Sequence, residues 1–206
     1  MGLLNKIWYF IWKDDSLLSW AVNVVLAIVI IKFLVYPGLG LLFGTSFPIV
    51  AVVSCSMEHG VTNCGDNSRA PDVCGAKNVN ASNFDEYWEA CGIWYENINI
   101  TKEEFNTFNF KNGFNKGDIM VLFGADINDI NIGDVIVFYT NYYNAPIIHR
   151  VISVDNANLM TKGDHNSDQN AFEKDIKKDK VLGKAVFRIP YLGWIKVMFN
   201  NLLGGR

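Results

Sequence analysis

The chain has 206 residues, with 18 Lys or Arg against 21 Asp or Glu, a formal net charge of −3 and an apolar fraction of 50%. The charges are unevenly placed: the 42 residues between Asp15 and Glu58 carry only Lys32, and the other 164 have the charge density of an ordinary soluble domain. Such a chain is not disordered, not a multi-span transporter and not a cytosolic protein without membrane contact, and its net negative charge speaks against a nucleic-acid partner.

In chain order, Leu17 to Tyr36 is predicted to form a membrane-spanning helix, since 20 residues rise about 30 Å. Pro37, Gly38 and Gly40 are expected to stop it, as a break in an apolar context and not as a phosphate loop. Lys32 lies about a turn from the outer end, where its stem reaches the headgroups. Trp8, Tyr9, Phe10, Trp12 and Trp20 gather at the entering end, as aromatic side chains do at a membrane interface. Lys6 and Lys13 precede the run and no Lys or Arg lies between Pro37 and Ser68, which predicts a single pass with a cytoplasmic amino terminus. A cleaved secretory signal or a buried core helix are the alternatives, but the run exceeds the usual apolar region of a signal, about 7–15 residues. The sequons Asn80-Ala81-Ser82 and Asn99-Ile100-Thr101 agree with an outer location for the residues beyond the helix.

Phe47 to Cys55 reads as a strand leaving the membrane. From Gly60 to about Asn115 the sequence is Asn-rich and holds three of the four cysteines, with helix-start signals at Ser82-x-x-Asp85 and Thr101-x-x-Glu104. This stretch reads as an exposed, partly helical insertion. Asp118–Phe123, Val135–Tyr139, Ile147–Val154, Leu159–Lys162 and Val181–Ile189 are short apolar or alternating runs, predicting a mainly antiparallel β-domain. Lys174–Lys180 reads as a solvated turn, and Tyr191–Leu203 as a segment lying on the membrane or packed on the sheet. The expected organisation is an interfacial amino terminus (1–16), an anchor and its exit (17–44), a β-domain (45–59 and 115–206) and the insertion (60–114). Cys64, Cys74 and Cys91 are spaced by ten and seventeen residues and match no common zinc pattern. With Cys55 they allow two disulfides, or one within the insertion with the remaining thiols free. No metal or cofactor is called for.

Four segments bring together the chemistry of an activated serine: Ser54-Cys55-Ser56-Met57-Glu58, Gly133-Asp134-Val135-Ile136-Val137-Phe138, Ile147-Ile148-His149-Arg150-Val151, and Lys162-Gly163-Asp164 with Asp168 beyond. A serine hydroxyl needs a base to take its proton, and the base needs a third group to orient it. Ser56, His149 and either Asp164 or Asp168 supply those types. In this order the segments resemble the ordered boxes of type I signal peptidases, and a His in IIHRV resembles the archaeal and endoplasmic-reticulum branch. The resemblance covers residues 17–58 and 115–198.

The resemblance implies a membrane-bound serine endopeptidase that removes signal peptides, with small side chains preferred at the first and third positions before the cut. It implies Ser56 as nucleophile, His149 as general base, Asp168 as the orienting aspartate and Asp164 as a second aspartate near the site. The oxyanion hole falls to the Ser56 N–H and the Ser54 hydroxyl, both placed by an extended strand on one side. Ile49, Val50, Val52 and Val53 stand where they would line substrate pockets. The sequence departs from the family at Cys55 and His59, where Gly and Pro are usual, and in the compact turn after Asp164. His59 and His165 read as surface residues. The implied partners are signal-peptide-bearing precursors and the bilayer, and the implied location is a cell membrane, or that of the endoplasmic reticulum in a eukaryote. Two other readings stand beside this one: a non-catalytic membrane-tethered β-domain that binds partners through residues 60–114, and a related peptidase of pilin-like or surface proteins.

Overall fold

The computed structural model describes residues 2–60, 73–76, 79, 81–155 and 158–202, so that Cys64 and Asn80 lie outside the described residues. Helix α1 (Leu3–Trp12) packs its end on α2 (Leu17–Ile30), where the Ser19 hydroxyl donates to the Phe10 carbonyl at 2.5 Å and Asn23 Nδ2 to the Ile11 carbonyl at 2.8 Å. Ser16 caps α2 by accepting the Ser19 N–H.

The helix does not stop at Pro37. A five-residue π-turn over Ile31–Val35 carries it into α3 (Tyr36–Phe43), and the whole of Leu17–Phe43 is one 27-residue apolar helix whose most apolar 18-residue stretch has a mean hydropathy of 2.4, long and apolar enough to cross a bilayer. The physical reason is local. In the π-turn the Tyr36 N–H bonds five residues back to Ile31, and this widening makes room for a ring that would otherwise clash with the preceding turn. The actual stop is Gly44, whose φ of +65° is a left-handed cap. The helix end is docked on the sheet: the Gly124 N–H donates to the Phe43 carbonyl, Thr45 Oγ1 donates to the Leu182 carbonyl, and Phe43 packs on Phe123.

The β-domain is a seven-stranded antiparallel sheet ordered β1-β2-β7-β3-β4-β5-β6. Its strands are β1 (Ile49–Ala51), β2 (Ile119–Phe123), β3 (Val135–Phe138), β4 (Ile147–Val154), β5 (Asn158–Lys162), β6 (Ile176–Lys177) and β7 (Val181–Ile189). The apolar runs thus form strands close to where they are expected. The strand from Phe47 is shorter than expected, and the charged segment Lys174–Lys180 holds β6 because its single Ile176 is buried against β5. Helix α6 (Trp194–Leu202) buries Val197 while Ile195 and Met198 face outward.

The insertion is helical as expected, starting at Thr101 where the signal puts it and at Asn83, one residue after the expected Ser82. Asn83 caps α4 (Phe84–Glu96) and Thr101 caps α5 (Lys102–Phe105), each accepting an N–H three residues on. It is not an exposed appendage, however. Val73, Tyr87, Trp88, Cys91, Tyr95 and Phe105 form a buried cluster that closes on Ile152 of β4. Its stretch 73–76 is tied to α4 by a Cys74–Cys91 disulfide spanning 17 residues, and Cys55 is also disulfide-bonded, so the free-thiol alternative falls. Replacing Cys91 with Ala is expected to lower the unfolding free energy by about 3 kcal/mol, the loop-closure value for this span, read from denaturant unfolding in detergent.

Candidate active site

β1 carries the chain out of the membrane-proximal helix, and three residues later it turns sharply. The Glu58 N–H donates to the Cys55 carbonyl at 3.0 Å, so Ser54 and Ser56 lie in a turn and not in the extended strand expected. Their hydroxyls still converge, with the two Oγ atoms 3.2 Å apart. Met57 anchors the turn: it is buried, and its carbonyl accepts the Phe114 N–H while its sulfur accepts the Asp164 N–H.

β4 supplies the base. His149 pairs with Ile136 and Arg150 with Val135 in the register of β3 and β4. Successive side chains on a strand point to opposite faces, so His149 turns to the serine and Arg150 to the insertion. Ser56 Oγ lies 2.9 Å from His149 Nε2. On the far side of the ring, His149 Nδ1 meets Glu173 Oε1 at 2.5 Å, with both side chains buried.

Neither expected aspartate touches the ring. Asp168 is exposed and accepts from Trp94 Nε1 and the Gln169 N–H, because the turn after β5 carries it out toward α4. Asp164 is fully buried on the other side of β4, where it accepts from Arg150 Nε and Nη2 at 2.9 and 2.7 Å, from His59 Nε2 at 2.9 Å and from the Tyr95 hydroxyl at 3.2 Å. The other Arg150 protons go to the carbonyls of Asn109, Gly133 and Phe110, so each of its five N–H groups has an acceptor. Burial alone would raise the Asp164 carboxyl, but the Arg150 guanidinium and the His59 bond hold it well below the usual carboxylate range.

His59 is a buried member of this network and not a surface residue, stacked on Tyr87 with ring centroids 3.5 Å apart; burial pushes its imidazole down. His165 donates through Nδ1 to the Glu58 carbonyl. Lys162 lies over the rings of Trp94 and Tyr95, and burial pushes its amine down to about 8. The insertion therefore braces the 162–168 turn from behind.

Glu173 was not legible as a site residue. Its one sequence signal is Asn170-x-x-Glu173, a capping box, which marks a helix start and no chemistry. Arg150 likewise gave no sign of the burial that Asp164 makes tolerable.

The serine opens on a cleft of about 340 Å3 whose walls include Ala51, Val53, Tyr143, Pro146, Ile148 and Phe172. Ile49, Val50 and Val52 are not among its walls, and Val52 is in the core. Gly163, the residue after β5, packs closely behind the Ser56–His149 pair. A Cβ there would sit 2.8 Å from the Ser56 carbonyl oxygen and 2.9 Å from His149 Nε2, so only glycine lets β5 approach the pair. Gly163→Ala is expected to slow reaction of the Ser56 hydroxyl with an activated ester by about 10²-fold, as displacements near 1 Å at a reacting centre do.

A hydroxyl, an imidazole and a buried carboxylate in line, on an antiparallel sheet docked to an apolar helix, define the class of an activated-serine site. Among proteins of known role, the chain is similar to catalytic subunits of the signal peptidase complex. It is 32% identical over 99 residues to SEC11 of Colletotrichum graminicola, covering 43% of this chain and 57% of that protein. Human SEC11C is 33% identical over 98 residues, covering 43% and 51%, and SEC11 of Pyricularia oryzae is 28% identical over 98 residues. These relatives are fungal and mammalian, so nothing in them singles out the archaeal type. The chain spans about half the length of the curated relatives it matches. No family model matches it.

Proposed function

We propose that this protein is a membrane-anchored serine endopeptidase that cleaves signal peptides from exported precursors, with Ser56 as nucleophile and His149 as general base. The observation that carries the reading is the 2.9 Å approach of Ser56 Oγ to His149 Nε2 at the mouth of an apolar cleft. The similarity to signal peptidase catalytic subunits supports the substrate class.

In this mechanism His149 takes the Ser56 proton as Oγ attacks the scissile carbonyl, then returns it to the leaving amine. An acyl ester on Ser56 remains. Water, deprotonated by the same imidazole, attacks that ester, the bond to Ser56 Oγ breaks as His149 returns the proton to it, and the carboxylate product leaves. The developing oxyanion is held by the Ser56 N–H and the Ser54 hydroxyl, which the turn keeps on the nucleophile's side. Anchoring serves the chemistry: a precursor's cleavage site emerges beside its own apolar segment, and a site docked to a membrane helix meets it at high effective concentration. The lysines before the helix favour a cytoplasmic amino terminus and an outward-facing β-domain, in the Ser–His branch found in archaea and the endoplasmic reticulum.

The binding-module reading loses support, because the residues that departed from the boxes have structural roles here: Cys55 is disulfide-bonded and His59 binds Asp164. The test is incubation of the detergent-solubilised full chain with a signal-bearing precursor. Release of the mature fragment, cut after small residues at the first and third positions, supports the assignment; an intact precursor refutes it.

A further inference from the structure

We infer that Glu173 is the positioning residue of the site, the carboxylate that fixes the tautomer and aim of His149, in place of either aspartate of the 164–168 turn. This rests on the endopeptidase reading above. Glu173 ends a short 3-10 turn, Ala171–Glu173, capped by Asn170. Its side chain is buried, and its two oxygens have divided roles. Oε2 accepts both the Asn170 N–H and Asn170 Nδ2, at 2.8 and 2.7 Å; Oε1 accepts His149 Nδ1–H at 2.5 Å and the Thr161 hydroxyl at 3.3 Å. Burial raises its carboxyl, yet the His149 and Asn170 bonds outweigh that and keep it below the usual glutamate value. An ionised acceptor on Nδ1 leaves the hydrogen there and the lone pair on Nε2, facing Ser56. That is the only tautomer able to take the serine proton.

The division of oxygens determines the effect of Glu173→Gln. Asn170 presents two donors to one end of the side chain, so a glutamine must place its carbonyl oxygen there. Its NH2 then faces His149 Nδ1, and a donor at that point forces the hydrogen onto Nε2. The near-isosteric variant thus locks the base in the wrong tautomer, whereas Glu173→Ala only releases it. If Glu173 merely filled space, Gln would be the milder change.

Two measurements on the full chain in detergent test this. In precursor cleavage, E173Q should lose about 10³–10⁴-fold in kcat with little change in KM, and E173A should be no worse than E173Q; D168N should stay within about 3-fold of wild type. Independently of any substrate, 15N spectra of the histidine-labelled protein, which has three histidines, should show His149 protonated at Nδ1 in the wild type and at Nε2 in E173Q. An E173Q enzyme within about 3-fold of wild type, a loss in D168N as large as in E173Q, or an unchanged His149 tautomer would each overturn the inference. A wild type that cuts no precursor would instead remove the endopeptidase reading, and the spectra would still decide the role of Glu173.

Discussion

Replacing Ser56 with alanine is expected to reduce precursor cleavage by about four to six orders of magnitude in kcat, leaving KM and the thermal midpoint nearly unchanged. Among the described residues the Ser56 hydroxyl bonds to His149 Nε2 and Ser54 Oγ, both on the cleft wall where water can take its place, and the turn stays anchored by Met57. The loss is therefore chemical. His149→Ala should cost about as much, and the double variant little more than either, because nucleophile and base act in one step. Single-turnover cleavage in detergent measures all three. Retention of more than about a tenth of wild-type activity by Ser56→Ala would sink the nucleophile assignment.

The second large effect concerns stability at a residue expected to belong to the chemistry. Asp164→Asn is expected to lower the unfolding free energy by about 3–5 kcal/mol, since it leaves the fully buried Arg150 without its counter-charge. For a chain of this size that is roughly 6–20 °C in thermal midpoint, read by thermal unfolding in detergent. The pH dependence has a definite sign. The folded-state carboxyl of Asp164 is depressed, so its contribution is complete above the unfolded carboxylate value, about 3.9, and is lost as pH falls below that toward the native value. Wild type should lose stability steeply below about pH 4, and Asp164→Asn should show a flatter acid limb. An unchanged midpoint would mean that the Arg150 cluster is solvated.

The strands were legible because alternation and β-branched runs report burial locally: Val135–Phe138 and Ile147–Val154 form where the pattern puts them, and both strands are buried on both faces where Ile136 pairs with His149. The end of the membrane helix was not, because Pro37 reads as a break in any local rule, and only the π-turn at Ile31–Val35 absorbs it. The insertion misled for a related reason. Asn, sequons and cysteines suggest exposure, yet the aromatic side chains of α4 and α5 are covered only after β4 presents Ile152 to their cluster and Arg150 to Phe105.

By itself the sequence determined the apolar helix and the antiparallel strands, properties carried by periodicity, while Ser56 and His149 as the pair to look for came from the resemblance of its short segments to the boxes of a known family. Which carboxylate lies against the imidazole was decided by the tertiary structure alone. Asp164, Asp168 and Glu173 are close in sequence and alike in chemistry, but orientation of an imidazole depends on which oxygen reaches Nδ1 at hydrogen-bond distance in a buried site. The outward course of the turn after β5 removes Asp168, Arg150 claims Asp164, and the capped turn at Asn170 delivers Glu173.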